Sequence, residues 1–572
     1  MRFLHLIFLV WGLVQSVKAQ EQIFIDNVSV INLVDGKTVI KDVAIDRGLI
    51  SQVGTDLQPD ENVLILDGSQ RFLMPGLIDA HIHLFQSGGL YTRPDAIDLT
   101  AYRPYEDEIQ WLRSHAQDLL KRYLRCGITS VMDIGGPMSN YAIRDENLED
   151  VAAASLFVTG PLISTYQPAA FDIEDPPIIK VNSAQEAIDL VQKQLPLKPD
   201  FIKIWYIVLP GQSAESTYEI VKATIEESHR NNLRVAVHAT QLNTAKYALK
   251  AGADVLVHSV QDHRVDDDFI ALFKKNNAVY IPTLIVGANY GKVFTATLPL
   301  SKYDFKYSHP TPLGSTHDLK HLENGNLLKQ ARESEKAFAE QDARQKKIMA
   351  ENLKILQDNN IEIATGTDAG NVGTFHASSY YKEMAAMQEA GLSNAEILKA
   401  STMGGAAAVG KSDSLGTIEP GKIADLVVLR KNPLEDLEAL HQIELIIKNG
   451  KIIAPDTVVK LSPEDLVQQQ LNGYNARDIN AFLAPYSDDF EIYNFPDELT
   501  QKGKANIKPG YAKMFENTPE LHCEIINRIS FGNTVIDQER VTGFGENDPL
   551  EALAIYKIED GKIAKVYFIR KE

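Results

Sequence analysis

Two hydrophobic patterns alternate along most of the chain and predict parallel β/α units. Short apolar runs rich in Val and Ile predict buried strands, and the amphipathic stretches between them predict helices. Eight such runs occur within roughly 330 residues, which suits a (β/α)8 (TIM) barrel with insertions. The predicted strands are residues 72–78, 128–134, 156–159, 201–207, 234–238, 255–258, 279–284 and 361–365.

Shorter strands joined by tight turns flank this region on both sides. Residues 23–33 are followed by Asp35-Gly36, a typical hairpin turn, and residues 38–45 supply the partner strand. Residues 426–429 and 443–453 show the same pattern far along the chain. We therefore predict one small β-sandwich domain built from residues 20–72 and 413–458, with the barrel domain, residues 73–412, inserted between them.

Two further stretches differ from the β/α pattern. Residues 308–359 are polar and rich in Lys, Glu, Gln and Ala, which predicts a loop and then a long amphipathic helix outside the barrel. Ser462-Pro463-Glu464-Asp465 is a typical helix start, with Ser as N-cap and acidic residues in the first turn. Strand patterns at 521–531, 534–541, 553–558 and 563–569 follow, so residues 462–572 are predicted to form a separate α+β domain.

Length and charge limit the class of protein. A chain of 572 residues is too long for one core, and two or three domains are expected. A formal net charge of −20 argues against nucleic acid or an anionic membrane as partner, because either needs a basic face. Cys126 and Cys523 fall in different predicted domains and neither belongs to a Cys-x-x-Cys motif.

The first 19 residues have the pattern of a signal peptide. Arg2 supplies the positive charge, residues 3–14 are apolar, and Val17-Lys18-Ala19 places small residues at a cleavage site. The apolar run would rise only about 18 Å as a helix, which is short of the roughly 30 Å hydrocarbon core and disfavours the alternative, an uncleaved anchor. We predict an exported protein, periplasmic or secreted, with no membrane association after the signal is removed.

Two histidines mark the end of the first predicted barrel strand. His81 and His83 lie two residues apart, and residues i and i+2 of a strand point to the same side, so one cation could lie between them. The alternative is a pair of incidental polar residues where a strand meets its loop.

Four more ligand-type residues occur at or near the ends of later strands. Lys203 interrupts an apolar strand, and a buried lysine needs a partner or must lose its charge. His238 and His258 each end a strand, and Asp368 follows the last one. Each has an ordinary explanation alone, such as a hydrogen-bonded histidine or a capping aspartate. Together they favour a metal site, because barrel active sites are built at the C-terminal ends of the strands.

These residues carry a resemblance to the amidohydrolase superfamily, in the branch of imidazolonepropionase and the metal-dependent Xaa-Pro or Xaa-Arg dipeptidases. The resemblance extends over residues 23–454. It rests on Pro-Gly-Leu-Ile-Asp-x-His-x-His at 75–83, Lys203, the two later histidines, Gly-Thr-Asp-Ala-Gly at 366–370 and the closing segment at 416–426.

The resemblance implies a binuclear metal hydrolase. His81, His83 and Asp368 would hold one divalent ion, His238 and His258 the other, and Lys203, carboxylated by carbon dioxide, would bridge them. Zinc suits these ligands, although neighbouring first-row metals remain alternatives. A hydroxide bridging the ions would attack a C–N bond in an amide, a dipeptide or a cyclic amide. Asp368 would act as general base and then as general acid.

Five residues are candidates for contact with the small-molecule substrate. His376 follows the last strand, where stabilising its own loop is an equal alternative. Arg93 could pair with a substrate carboxylate, but a structural salt bridge is the commoner role of such a residue. Tyr91, Tyr166 and Tyr206 are aromatics near the predicted rim, and packing is the alternative for each of them.

Residues 462–572 resemble the NTF2-like fold, an α+β cone with a pocket, in its SnoaL-like branch. The resemblance rests on the order of helices and long strands, on residues 474–478 and on the hairpin at 560–563. Asp489, Tyr493 and Tyr511 are candidate pocket residues. A non-catalytic binding pocket or a dimer contact is favoured, and a dimer contact would make the protein a homo-oligomer.

Two other functions are weighed against the hydrolase. In one, the NTF2-like domain is an isomerase or dehydratase and the barrel is accessory. In the other, the chain is a periplasmic binding protein without catalytic activity, which is disfavoured because a pure binder has little use for Asp368 beside the metals.

Overall fold

The computed structural model describes residues 22–148, 150–209, 211–322, 325–545 and 549–570. The predicted signal peptide, residues 1–19, lies outside this range and stays a prediction. Within the described residues, no helix combines the length and apolarity required to cross a bilayer.

The N-terminal strands form part of one mixed sheet. They are β1 (Gln22–Asn32), β2 (Lys37–Asp46), β3 (Leu49–Gly54), β4 (Leu64–Asp67) and β5 (Phe72–Pro75). β1 and β2 pair antiparallel across the Asp35-Gly36 turn, where Gly36 adopts φ +65°, a conformation that favours glycine. β4 and β5 run parallel to β1.

Ten short strands follow and form two parallel sheets. They are β6 (Leu77–Ile82), β7 (Ile128–Asp133), β8 (Ser155–Val158), β9 (Leu162–Ser164), β10 (Ile178–Lys180), β11 (Ile202–Trp205), β12 (Val235–His238), β13 (Val255–Val257), β14 (Val279–Ile281) and β15 (Glu362–Ile363). One sheet has the order β6-β7-β8 and the other β10-β9-β11-β12-β13-β14-β15. These strands are almost wholly buried, as parallel sheets covered by helices require.

Backbone hydrogen bonds connect the first of these strands with the end of the last one. The amide of Ala80 donates to the carbonyl of Thr365 at 2.9 Å, and the amide of Asp368 donates to the carbonyl of His81 at 2.8 Å. The segment after β15 is therefore held directly against β6.

Helices surround the parallel sheets. They are α1 (Tyr105–Arg125), α2 (Asn140–Asn147), α3 (Ala184–Gln194), α4 (Tyr218–Arg230), α5 (Leu242–Ala251), α6 (Asp267–Asn276), α7 (Val286–Phe294), α8 (Lys302–Tyr307), α9 (Pro310–Ser315), α10 (Gly325–Asp358), α11 (Ser379–Glu389), α12 (Asn394–Lys399) and α13 (Gly405–Ala408). The predicted long helix is α10, which has 34 residues. Leucine, isoleucine and valine side chains from strands and helices share the main core.

The N-terminal sheet is completed by strands from beyond the α/β region. β16 (Leu426–Leu429), β17 (Ile443–Lys448) and β18 (Lys451–Ile453) extend it in the order β18-β17-β16-β5-β1-β2-β3. β16 pairs antiparallel with β5. Two segments separated by more than 300 residues along the chain therefore pair in one sheet.

The prediction of one barrel strand over residues 72–78 is wrong, because these residues form parts of two strands. The chain divides at Gly76, so that β5 belongs to the mixed sheet and β6 starts the parallel one. A Cβ at Gly76 would lie 2.1 Å from Oγ1 of Thr129, which shows how closely the junction approaches β7. The apolar run is continuous across this point, so hydrophobicity alone could not show the change of sheet.

The third predicted strand, residues 156–159, is also more complex than expected. It corresponds to β8, and a second piece, β9, follows after Gly160-Pro161 and pairs with β11 instead. β9 and β10 are strands that the hydrophobic pattern did not predict, because each has only three residues.

The C-terminal residues form the predicted helices and strands. A short helix, α14 (Pro455–Val458), is followed by α15 (Pro463–Asn475), α16 (Ile479–Leu483), β19 (Tyr486–Asn494), β20 (Glu498–Lys502), α17 (Lys504–Asn517), β21 (His522–Phe531), β22 (Thr534–Thr542), β23 (Leu550–Glu559) and β24 (Lys562–Arg570). Ser462 and Asp465 form a capping box at the start of α15. The strands form one sheet in the order β20-β19-β24-β23-β22-β21, with a core of its own.

Polar contacts attach this C-terminal domain to the α/β region. Nδ2 of Asn472 donates to the carbonyl of Pro310 at 2.7 Å, and a ring nitrogen of His321 lies 2.7 Å from one of His522. Nε2 of His309 lies 3.4 Å from Oδ1 of Asp465. Cys126 in the α/β region and Cys523 in the C-terminal domain are both buried free thiols.

One buried carboxylate makes the stability of the C-terminal domain depend on pH. Burial raises the pKa of Glu539 from 4.5 to about 7. The folded domain therefore holds this proton more tightly than the unfolded chain, so this contribution to stability is present below pH 4.5 and is lost as the pH rises through 7. We expect the free energy of unfolding of the wild type to fall by about 3 kcal/mol between pH 4.5 and 7, at 1.36 kcal/mol per pKa unit. Glu539→Gln should not show this decrease.

Chemical denaturation of the two proteins between pH 4.5 and 8 measures this difference. Glu559→Gln, at an exposed position of the same domain, serves as the control and should follow the wild type at every pH. Parallel curves for wild type and Glu539→Gln would contradict the expectation.

Candidate functional site

Five of the six predicted metal ligands lie at or beyond the C-terminal ends of their strands, and Lys203 is the second of the four residues of β11. His81 lies in β6 and His83 follows it, Lys203 lies in β11 and His238 ends β12. His258 comes directly after β13, and Asp368 lies five residues beyond the end of β15. Because the strands of each sheet run parallel, these ends share one edge, and loops rather than side-chain packing cover it.

Three of the side chains are in direct contact. Nε2 of His81 lies 3.3 Å from Nε2 of His83, and Oδ1 of Asp368 lies 3.2 Å from each of these nitrogens. All three residues are buried. The hypothesis that His81 and His83 face the same side of the chain therefore agrees with the geometry, and Asp368 faces them.

The later histidines extend this group. The ring centroids of His81 and His258 are 4.9 Å apart, and those of His258 and His238 are 4.4 Å apart. Ligand atoms of His81, His258 and Asp368 all lie within 4.8 Å of one another, a separation that one metal ion can span.

Lys203 is the only amine among the six predicted ligands. Its side chain is fully buried, and among the described residues Nζ has no hydrogen-bond partner. Burial lowers the pKa of Lys203 to about 7, so an amine that is normally charged is neutral in slightly alkaline solution. Burial also lowers the pKa of His81, His238 and His258 well below the usual range, with further contributions from neighbouring positive charge. The neutral imidazole is the form that binds metals.

Hydrogen bonds outside the six residues fix the orientation of two of them. Nδ1 of His83 lies 2.8 Å from the carbonyl of Gly135, which leaves Nε2 directed at the cluster. Nδ2 of Asn371 donates to Oδ1 of Asp368 at 2.7 Å. Oδ1 of Asn371 in turn accepts from the guanidinium of Arg93 at 2.6 Å and from the hydroxyl of Tyr290.

The backbone at two of these positions is also unusual. His258 adopts φ +74° and Asp368 φ +59°, a region that residues other than glycine enter at a cost of about 1–3 kcal/mol. Such strain concentrates at functional sites, and here it falls on two of the six residues.

A cavity of about 250 Å³ opens onto the cluster. Its floor includes His83, Lys203, His238, His258 and Asp368. The other lining residues divide into an apolar and a polar set. The apolar set includes Phe85, Leu162, Phe171, Trp205, Val286 and Met349, and the polar set includes Gln86, Arg93, Thr240, Gln261, Asp342 and Asn371.

Of the five predicted substrate contacts, only Arg93 lines this cavity. Its guanidinium forms a two-point salt bridge with Asp95, at 2.7 and 2.6 Å, in addition to the contacts with Tyr290 and Asn371. The geometry therefore agrees with the alternative, a structural salt bridge, and also links Arg93 to Asp368 through Asn371.

The other four candidates lie outside the lining of the cavity. The hydroxyl of Tyr91 donates to Asp318 at 2.9 Å, and that of Tyr206 donates to the carbonyl of Ala214. Tyr166 packs near Trp205, with ring centroids 6.0 Å apart. His376 is buried, with its nitrogens 3.0 Å from the hydroxyl of Tyr123 and 2.8 Å from the carbonyl of Gln86. His376 thus holds its own loop against the cavity-lining residue Gln86.

Sequence reasoning missed several residues that shape the site. Asn371 and Tyr290 bind each other and orient Asp368, and Phe171 and Trp205 form the apolar wall. Of these residues, the sequence could have indicated only Asn371, because it lies three residues after Asp368. Phe171 and Tyr290 come from segments that carry no motif, so only the folded chain brings them to the site.

Comparison with known proteins identifies the family to which the α/β region belongs. A family profile described as "Amidohydrolase family" matches residues 72–453, about two thirds of the chain. This chain is a member of the amidohydrolase family. A second profile, described as "SnoaL-like domain", matches residues 467–566.

Curated relatives of this amidohydrolase match over short segments. An imidazolonepropionase of Porphyromonas gingivalis is 34% identical over 94 residues, which is 16% of this chain and 22% of that protein. A dihydroorotase of Staphylococcus aureus is 36% identical over 59 residues, which is 10% of this chain and 14% of that protein. The matched segments thus span less than a quarter of the curated relatives.

Solved structures resemble the amidohydrolase region over a greater length. A Xaa-Pro dipeptidase with bound methionine in its active site aligns over 76% of this chain and 100% of its own, with TM-score 0.58 and 21% identity. Aspergillus niger ochratoxinase aligns over 76% of this chain and 96% of its own, with TM-score 0.55 and 18% identity. At these identities the similarity shows a shared fold.

Proposed function

We propose that this amidohydrolase is a metal-dependent hydrolase of C–N bonds in small molecules, such as amides, dipeptides or cyclic amides. The observation that carries the proposal is the convergence of three histidines, one aspartate and one neutral lysine on the floor of a single cavity, with His81 packed behind them. The family assignment and the names of the relatives, which include a dipeptidase and an imidazolonepropionase, support the same reaction class.

The residues present fit a pair of divalent ions. A carboxylate in contact with two imidazoles is costly in an apolar interior, and bound cations would remove that cost. Carboxylation would turn the Lys203 amine, which has no hydrogen-bond partner among the described residues, into an anion that such cations would stabilise. We infer that His81, His83 and Asp368 would hold one ion, that His238 and His258 would hold the other, and that Lys203, once carboxylated, would supply oxygen ligands to both. Only a neutral amine reacts with carbon dioxide, and the lowered pKa of Lys203 favours that form.

The chemistry divides between the ions and the protein. When bound, paired ions lower the pKa of a water molecule toward neutrality and polarise the scissile carbonyl, and zinc suits this ligand set. Asp368 takes the proton of the attacking water and passes it to the leaving nitrogen, acting as base and then as acid. Asn371 holds the Asp368 carboxylate in place for both steps.

The shape of the cavity favours a small substrate with one apolar side. A volume of about 250 Å³ suits a molecule of dipeptide size rather than a protein chain. Phe171 and Trp205 contribute aromatic rings to the lining of the cavity. We infer that these rings contact the substrate body and contribute to specificity.

We further infer that the two parallel sheets are one (β/α)8 barrel interrupted within its third strand. The hydrogen bonds from Ala80 and Asp368 between its first and last strands support this arrangement. The two pieces of the third strand, β8 and β9, pair with opposite neighbours, which would account for the division into two sheets.

Metal analysis combined with a substrate screen tests the proposed function. Fully loaded protein should contain about two zinc ions per chain, and chelation should abolish hydrolysis that added metal restores. The screen compares dipeptides, N-acyl amino acids and cyclic amides. Fewer than about one ion per chain after loading, or hydrolysis that survives chelation, would show that the proposal is wrong.

Asn371→Ala should reduce turnover without removing the metals. The substitution deletes the donor to Asp368 and the acceptor for Arg93 and Tyr290, so the carboxylate loses its fixed orientation. We expect kcat to fall about tenfold to a hundredfold, with a smaller change in KM and unchanged metal content.

Steady-state kinetics and metal analysis on the same preparation measure these effects. Asn147→Ala is the control, because Asn147 is equally buried but donates to the carbonyl of Ala154, away from the cluster. A rise in KM alone would assign Asn371 to substrate binding instead.

A further inference from the structure

The C-terminal domain contains a cavity of its own, with a volume of about 310 Å³. It shares no lining residue with the cavity above the six predicted metal ligands. Aromatic side chains dominate its walls: Tyr474, Phe482, Tyr486, Tyr511, Tyr556 and Phe568. Of the pocket residues predicted from sequence, Tyr511 lines it, whereas Asp489 and Tyr493 do not.

A carboxylate lies among these rings. Glu539 of β22 is 8% exposed and lines the cavity. Oε1 of Glu539 accepts a hydrogen bond from the hydroxyl of Tyr556 at 2.8 Å, and that hydroxyl accepts from Nε2 of Gln470 at 3.1 Å. The hydroxyl of Tyr486 donates to Oε1 of Gln470 at 3.3 Å. This chain of contacts fixes the carboxylate in one orientation.

The charge of Glu539 has no cationic partner in the described part of the protein. Arg528, the nearest candidate, instead forms a two-point salt bridge with Asp537, with both distances 2.7 Å. No salt bridge to Glu539 is formed by any described lysine, arginine or histidine. A buried carboxylate without a counter-ion is costly, and the raised pKa of Glu539 reflects that cost.

We propose that this cavity binds a small organic ammonium ion with an apolar or aromatic body, whose N–H groups pair with Glu539. The surrounding tyrosine and phenylalanine rings favour a cation in two ways, because their faces attract positive charge and their edges pack against hydrocarbon. An anion would face the Glu539 carboxylate, and the arginine that lines the cavity, Arg570, is exposed. The site is independent of the reaction proposed for the central domain.

The polar lining residues indicate how the ligand would lie. Gln501, Asn506 and Arg570 are exposed and mark the mouth of the cavity. The ammonium end would therefore point inward to Glu539, and any polar tail would point outward to these three side chains.

Three probes of similar size and different charge test the proposal on the full-length protein. They are 2-phenylethylammonium, the neutral 2-phenylethanol and the anionic 3-phenylpropanoate, with affinities measured by calorimetry and ligand-detected NMR. We expect the ammonium to bind about tenfold or more tightly than the alcohol, because a charge-assisted hydrogen bond in a buried site distinguishes them.

Two variants locate the bound probe. Glu539→Gln should weaken ammonium binding about tenfold or more and leave the alcohol within about threefold, whereas the exposed control Glu559→Gln should change neither. Ala552→Leu fills the cavity and should abolish binding of both probes. If Glu539→Gln fails to fold, the ranking of the probes on wild type and their loss in Ala552→Leu decide the question.

Three outcomes would overturn the proposal. The first is that the alcohol or the anion binds as tightly as the ammonium or more tightly. The second is ammonium binding that neither Glu539→Gln nor Ala552→Leu reduces. The third is that none of the three probes binds.

Discussion

Asp368→Asn is expected to lower kcat about 10³-fold or more while most of the metal stays bound. Asparagine has nearly the same shape and still offers an oxygen toward His81 and His83, but it cannot accept and return a proton. A loss of this size corresponds to about 4 kcal/mol of activation free energy. The effect should appear in kcat rather than in KM, because the residue acts on the proton and not on substrate affinity.

Kinetics and metal analysis of one preparation separate this role from a structural one. Asp304→Asn is the matched control, because Asp304 is equally buried but bonds to Ser301 and Lys382, away from the cavity. The control should retain its metals and its turnover, even if its melting temperature falls. Turnover near the wild-type value in Asp368→Asn would remove the assignment of the proton transfer to Asp368.

Lys203→Met should have the second large effect, on metal content. Methionine is similar in size and apolar, so it fills the space in β11 but cannot form the bridging carbamate. We expect about one ion or fewer per chain in place of two, and turnover at least about 10²-fold lower. The unfolding free energy of the metal-free protein should stay the same or rise, since a buried amine without a partner is removed.

Lys448→Met is the matched control, and it should lose stability while keeping its metal content. Lys448 is also buried, but Nζ bonds to Asp425 at 2.6 Å and to Oγ of Ser155 at 2.7 Å, far from the cavity. Its loss should cost about 3–5 kcal/mol of stability, because the Asp425 carboxylate is left buried and unpaired. Metal content should not change. If Lys203→Met instead lost stability and kept both ions, the bridging role of Lys203 would be wrong.

The strand pattern and the six ligand-type residues were evident without coordinates because both follow from local rules. Buried parallel strands need continuous apolar runs, and a polar ligand at the end of such a run stands out against it. His81, His83, Lys203, His238 and His258 are conspicuous for this reason. The helix start at Ser462 was equally local, since capping depends on residues only three positions apart.

The hydrophobic pattern of the sequence could not predict contacts between segments that are distant along the chain. The division of the chain at Gly76 depends on the close approach of Thr129, and the split of the third strand depends on which neighbour each half meets. Four of the five predicted substrate contacts do not line the cavity for the same reason. Tyr91, Tyr166, Tyr206 and His376 come from the expected loops, but packing turns their side chains to other partners.

By itself, the sequence determined most of the order of elements, the family resemblance and the candidate metal ligands, because each depends on residue type at fixed spacing. Only the tertiary structure decided that Nζ of Lys203 has no hydrogen-bond partner among the described residues, that Asn371 joins Arg93 to Asp368, and that Glu539 lies among aromatic rings. Burial and pairing belong to the folded chain, since they depend on which distant segments exclude water from a group.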